Sequence, residues 1–112
     1  RVWDADLLAG YARAIRAIAP VEDVIVDGDL FEAEVIGAGR VSGMRHGDEI
    51  VLLAADYHGD SDGTVRVKLN LEKRMRVRDL GEGDELGPTG PGESMLAVPL
   101  HARWARILHL RP

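Results

Sequence analysis

The chain has no cysteine. A disulfide framework, a thiolate nucleophile and a Cys-based zinc site are therefore excluded, and freedom from cysteine suits cytosol and export equally. Aromatic residues are scarce too, with two Trp, two Tyr and one Phe in 112 residues. The serines are Ser42, Ser61 and Ser94, and none lies in the Gly-x-Ser-x-Gly turn that exposes a nucleophile. No run approaches the roughly 18 apolar residues of a membrane-spanning helix, and the start shows no signal-peptide pattern. Positive charge is in the minority, 14 Lys and Arg against 19 Asp and Glu, for a net charge of −5. That balance gives no support to general nucleic-acid binding. Neither a P-loop nor a strand–GxGxxG–helix unit is present, so phosphate and dinucleotide binding are unsupported.

The length suits one domain spanning 1–112, with a single modest core. Its first residue is Arg1 rather than Met. Either a leader or tag was removed, or the chain is a piece of something longer. Residues 1–20 read as a helix and its exit. Asp4 or Asp6 can cap the first turn, and Leu7, Leu8, Tyr11, Ile15 and Ile18 draw one apolar stripe between Asp4 and Ala19. Pro20 forbids continuation. That stripe is the expected interface.

Residues 21–112 read as strands and turns. Val21 to Gly28 suits a connector or a short strand, and Leu30 to Ile36 and Arg40 to Arg45 are expected as strands. Glu49 to Tyr57 is apolar on both faces: Val51, Leu53, Ala55 and Tyr57 on one, Ile50, Leu52 and Ala54 on the other. Such a strand needs cover on both sides. One sheet supplies the first cover, and the helix Asp4 to Ala19 is the expected second.

Thr64 to Asn70 and Arg74 to Asp79 both alternate, with Val65, Val67, Leu69, Met75 and Val77 inward. Pairing them as a hairpin through a three-residue loop would set Lys68 against Arg76 and Arg66 against Arg78, and opposed like charges are unfavourable. Two resolutions are open: the strands belong to different sheets, or acidic residues lie near the basic face. Leu80 to Gly92 is expected as a Gly/Pro/acid-rich loop. Two further strands, Met95 to Leu100 and Arg103 to Leu110, close the chain. The expected core is Val51, Leu53, Val67, Leu69, Val77, Val98 and Leu108.

Chemistry has few footholds. In the loop Asp56 to Gly63, Asp60 and Asp62 are hard oxygen donors suited to calcium. The further carboxylates of an EF-hand are missing, so the expectation is a plain hairpin turn. His46, His58, His101 and His109 show no metal-ligand spacing. No pair of carboxylates is singled out for acid–base work. Trp104 shares parity with Leu108 and Leu110 and is expected to cover core, which leaves Trp3 as the free candidate for an aromatic sugar platform. The fold expected is mostly β: an antiparallel sandwich of seven to eight strands with one N-terminal helix packed on it. No catalytic residue, cofactor or metal is expected.

With these landmarks, the segment Gly47 to Pro112 resembles the C-terminal antiparallel β-domain of multidomain glycoside hydrolases. The resemblance rests on the strand ending in an acid–aromatic pair (Leu52 to Tyr57), the Val-x-Asp-Leu turn with its Gly-acid continuation (Val77 to Glu85) and the final Leu-x-Pro tail (Leu110 to Pro112). The helix and its drop through Pro20 resemble the last helix of a catalytic barrel entering that domain. The resemblance implies a noncatalytic accessory domain of a carbohydrate-active enzyme, serving interdomain packing and stability. Its partner would be the catalytic domain of the same polypeptide or a second copy of the chain, with no nucleic acid and no membrane. Alternatives are a free-standing ligand- or carbohydrate-binding module and a small hydrolase whose site assembles only in three dimensions.

Overall fold

A computed structural model describes residues 19–101 and 104–112. The expected helix over Asp4 to Ala19, with Leu7, Leu8, Tyr11, Ile15 and Ile18, lies outside them except for Ala19. The first described element is a 3-10 turn, Ala19–Val21, which runs into a short helix α1, Glu22–Asp27. Glu22 and Asp23 in its first turn suit the positive helix end. Val21 and Val24, three residues apart, lie on one side and are buried. This corrects the reading of Val21 to Gly28 as a connector or strand. Six residues are too few for helical periodicity to declare itself.

Nine strands follow among the described residues: β1 Asp29–Leu30, β2 Glu34–Ile36, β3 Arg40–His46, β4 Glu49–Ala55, β5 Thr64–Leu71, β6 Met75–Asp79, β7 Glu85–Thr89, β8 Gly92–Pro99 and β9 Ala105–Arg111. They form two antiparallel sheets, one of six strands in the order β1-β3-β4-β9-β6-β7 and one of three in the order β2-β5-β8. The sheets pack face to face as a sandwich. Leu52, Val67, Leu69, Val77, Val98 and Leu108 lie in the core between them.

The stretch from Leu30 to Ile36 is not one strand. It is cut at Phe31, where the chain passes from the large sheet to the small one. The Phe31 N–H donates to the Gly43 carbonyl at 2.9 Å. A side chain at Gly43 would collide with Leu52 and Phe31, so glycine there allows the crossing segment to lie flat on β3. Likewise the expected loop Leu80 to Gly92 contains β7, whose Gly and Pro residues disguise it as a turn.

The strand β4 is covered on both faces, as its composition requires. Ile50, Leu52 and Ala54 face the core between the sheets. Val51 faces outward beneath Val21 and Val24 of the turn and α1. The described cover is thus the short segment after Pro20. Two of the expected core residues are corrected: Val51 is buried on the outer face, and Leu53 is only half-buried there. Composition shows that both faces are apolar, but not which one meets the second sheet.

The strands β5 and β6 belong to different sheets, the first of the two resolutions open to the basic rows. The second holds as well. Arg66 pairs with Asp62 at 3.1 Å, Lys68 with Glu93 at 2.9 Å, and Arg76 with Glu85. Hydrogen bonding to these acids raises the pKa of Arg66 and of Lys68 above the ordinary value.

Candidate functional surface

At one end of the large sheet the β4–β9 ladder closes with Ala55 opposite Ala105. The next residue, Asp56, donates its N–H to the Trp104 carbonyl at 2.8 Å. Its carboxylate turns back into the following loop and accepts the N–H groups of Asp60 at 3.1 Å and Ser61 at 2.8 Å. Hydrogen bonds from Ser61, side chain first and backbone second, hold the Asp56 carboxyl below the usual carboxylate range. Asp62 accepts the Thr64 N–H at 3.2 Å and pairs with Arg66, which lowers its pKa too. The loop joins β4 in the large sheet to β5 in the small one, so it is a crossing between sheets rather than the hairpin expected. Two of its carboxylates serve its own backbone and one arginine. Among the described residues, no three His, Asp or Glu side chains converge as a metal site.

This loop and the Trp104 segment expose two aromatic rings on adjoining stretches of chain. Tyr57 is 57% exposed and Trp104 64%. The expectation that Trp104 covers core is therefore corrected. Its parity with Leu108 and Leu110 holds only while the strand lasts, and β9 begins at Ala105.

The strand that follows Trp104 is firmly held. Arg106, two residues on, has a fully buried side chain. Its Nε donates to Asp79 Oδ2 at 2.5 Å, its Nη2 to Asp84 at 2.7 and 2.9 Å, and its Nη1 to the Pro99 carbonyl at 2.6 Å. Asp79 in turn accepts the N–H groups of Gly81 and Glu82 at 2.6 and 2.8 Å. Burial works against the Arg106 charge, but the hydrogen bonds it donates to Asp84 and Asp79 outweigh it and its pKa is raised. The same guanidinium holds Asp84 below the usual range. One arginine thus ties the β6–β7 turn and the end of β8 to β9. No buried side-chain polar atom among the described residues lacks a partner.

The remaining sequence-selected residues are dispersed. His109 Nε2 lies 2.7 Å from Glu49, and His46 Nδ1 3.6 Å from Asp23 of α1. An open groove of about 610 Å³ runs where β1 passes to β2, lined among others by Phe31, Glu32, Glu34, Lys68 and Asn70. Its lysine is already paired with Glu93.

No family model and no curated protein matches this chain. Among solved structures, the fold is similar to part of an α-amylase from Anoxybacillus, described as giving insight into a new glycosyl hydrolase subclass. The match has a TM-score of 0.58 at 21% identity and covers 97% of this chain but 23% of that one. The glycoside hydrolase resemblance read from Gly47 to Pro112 is thus met by a fold likeness over nearly the whole chain. The chain spans less than a quarter of the amylase's length.

Proposed function

We propose that this chain is a noncatalytic accessory β-sandwich domain of a carbohydrate-active enzyme, which packs against a catalytic domain of the same polypeptide and stabilises it. The observation that carries this reading is the match of almost the whole chain to under a quarter of a glycoside hydrolase. The chemistry of the described residues supports it. Their buried polar groups are mutually satisfied, and their strongest charge cluster, around Arg106, braces turns. The test is to express the polypeptide encoded by the whole reading frame with and without residues 1–112. Glycoside hydrolysis by the longer form, none by the isolated chain, and faster thermal inactivation on deletion are expected. A reading frame without a catalytic domain, or inactivation unchanged by deletion, would refute the proposal.

A second reading, a carbohydrate-binding module, is favoured by one observation: the exposed Tyr57 and Trp104. Rings of this kind offer an apolar face at low conformational cost. Retardation of the chain in gels containing soluble polysaccharide, abolished by Trp104→Ala, would establish this reading.

A further inference from the structure

Every open sheet has two edges, and the unpaired N–H and C=O groups along them invite another chain. Among the described residues this sandwich has four edges, and three are blunted. β1 has two residues and β2 has three. β7 has five, carries Pro88, which has no N–H to donate, and pairs with β6 in an irregular register. The fourth, β8, is eight residues long; its one proline, Pro99, is its last residue, and Gly92 to Val98 contains no Lys, Arg or Pro. Among the described residues it pairs only with β5.

The register reveals which groups face outward. Leu100 N–H donates to Gly63 O at 2.8 Å, and the ladder continues from Thr64 opposite Pro99 to Leu71 opposite Gly92. Hydrogen-bonded pairs alternate along an antiparallel ladder. Val98, Leu96, Ser94 and Gly92 therefore bond to β5, while Ala97, Met95 and Glu93 turn their N–H and C=O groups to the open edge. Met95 is also 54% exposed on the outer face.

We propose that two copies of this chain associate by antiparallel pairing of β8 with β8 about a two-fold axis through Met95. The edge is complementary to itself in that register. Met95 meets Met95 of the partner, so the two exposed thioether side chains cover each other. Glu93 meets the neutral Ala97, and its carboxylate is already engaged by Lys68 of its own chain. No like charges are opposed, and the three outward residues of each copy satisfy one another's backbone groups. The product is a continuous six-stranded sheet across the dimer, with an isologous interface. A single ladder is a small interface, so the dimer is a weak one, in the range of transient complexes. This inference is independent of the accessory-domain reading.

Self-opposition of residue 95 supplies the test. Its side chain is exposed, so Met95→Lys and Met95→Glu should both keep the circular dichroism of the wild type, the lysine variant melting slightly lower because Lys68 lies opposite residue 95 on β5. In sedimentation equilibrium from micromolar to millimolar chain, the wild type should dimerise at the upper end. Each variant alone should stay monomeric because like charges meet at the centre. An equimolar mixture of the two should dimerise again, because Lys then meets Glu. In the wild type, hydrogen exchange at the Glu93, Met95 and Ala97 amides should slow as concentration rises, a readout that needs no variant. A wild type monomeric throughout, single variants that still dimerise, a mixture that stays monomeric, or exchange insensitive to concentration would each overturn the proposal.

Discussion

Arg106 shows how much a single side chain holds here. It lies on the inward face of β9, in step with Leu108 and Leu110, where alternation calls for an apolar residue. A cation on a buried face needs partners, and parity alone could have flagged it. The identity of the partners was beyond the sequence, since Asp79 is 27 residues away and Asp84 is 22. Trp104 erred in the opposite direction, because parity was carried one residue past the end of the strand. Arg106→Met should destabilise the fold by about 3 to 5 kcal/mol, because it strands the buried Asp79 charge; the urea midpoint measures it. Acid should act on the same cluster. The Asp84 carboxyl is depressed in the folded state, so its contribution is complete above the unfolded value near about 4 and is lost as pH falls through the folded one. Asp56 and Asp62 act with the same sign. The melting temperature should therefore drop between pH 5 and pH 3, and Asp84→Asn should make that drop smaller. An equal drop in the variant would mean that other carboxylates govern the acid response.

Among the elements, those with a long clean pattern were legible. β5 alternates through its whole length, and the clash predicted for a hairpin between β5 and β6 correctly pointed to separate sheets or compensating acids. Short elements were not legible. α1 has less than two turns, β1 and β2 are fragments of one apparent strand, and β7 is written in Glu, Leu, Gly, Pro and Thr. β4 is the instructive middle case: its cover on two sides was readable, its orientation was not. Leu52→Ala should cost about 2 to 5 kcal/mol, as for a buried leucine that leaves a cavity. Leu53→Ala, on the half-buried outer face, should cost clearly less. Equilibrium denaturation of the two variants side by side checks the assignment, and a larger loss at Leu53 would mean the faces are reversed.

At the scale of the whole molecule, sequence and fold agree on a β-sandwich akin to part of a glycoside hydrolase. What the sequence could not convey was which strands lie beside which, because the large sheet is assembled from distant stretches. The candidate surface was hidden for the same reason: Tyr57 and Trp104 are brought to one end only by the pairing of β4 with β9. That pairing also bears on how the domain is born. β9 lies between β4 and β6 and is the last of the nine strands to be made. While the ribosome is still adding residues up to Trp104, the growing chain contains β1-β3-β4 on one side of the large sheet and β6-β7 on the other, without the strand that pairs with both. Domains generally fold as units during synthesis, so this one should stay open until Ala105–Arg111 has cleared the exit tunnel. A chain stopped after Trp104 should show no cooperative thermal transition and should bind a hydrophobic dye. Adding the missing strand as a separate peptide should restore some of the transition, and failure of the peptide to bind at all would argue against β9 as the closing piece. During translation the large sheet should thus carry two bare inner edges, at β4 and β6, because of the position of one strand in the gene.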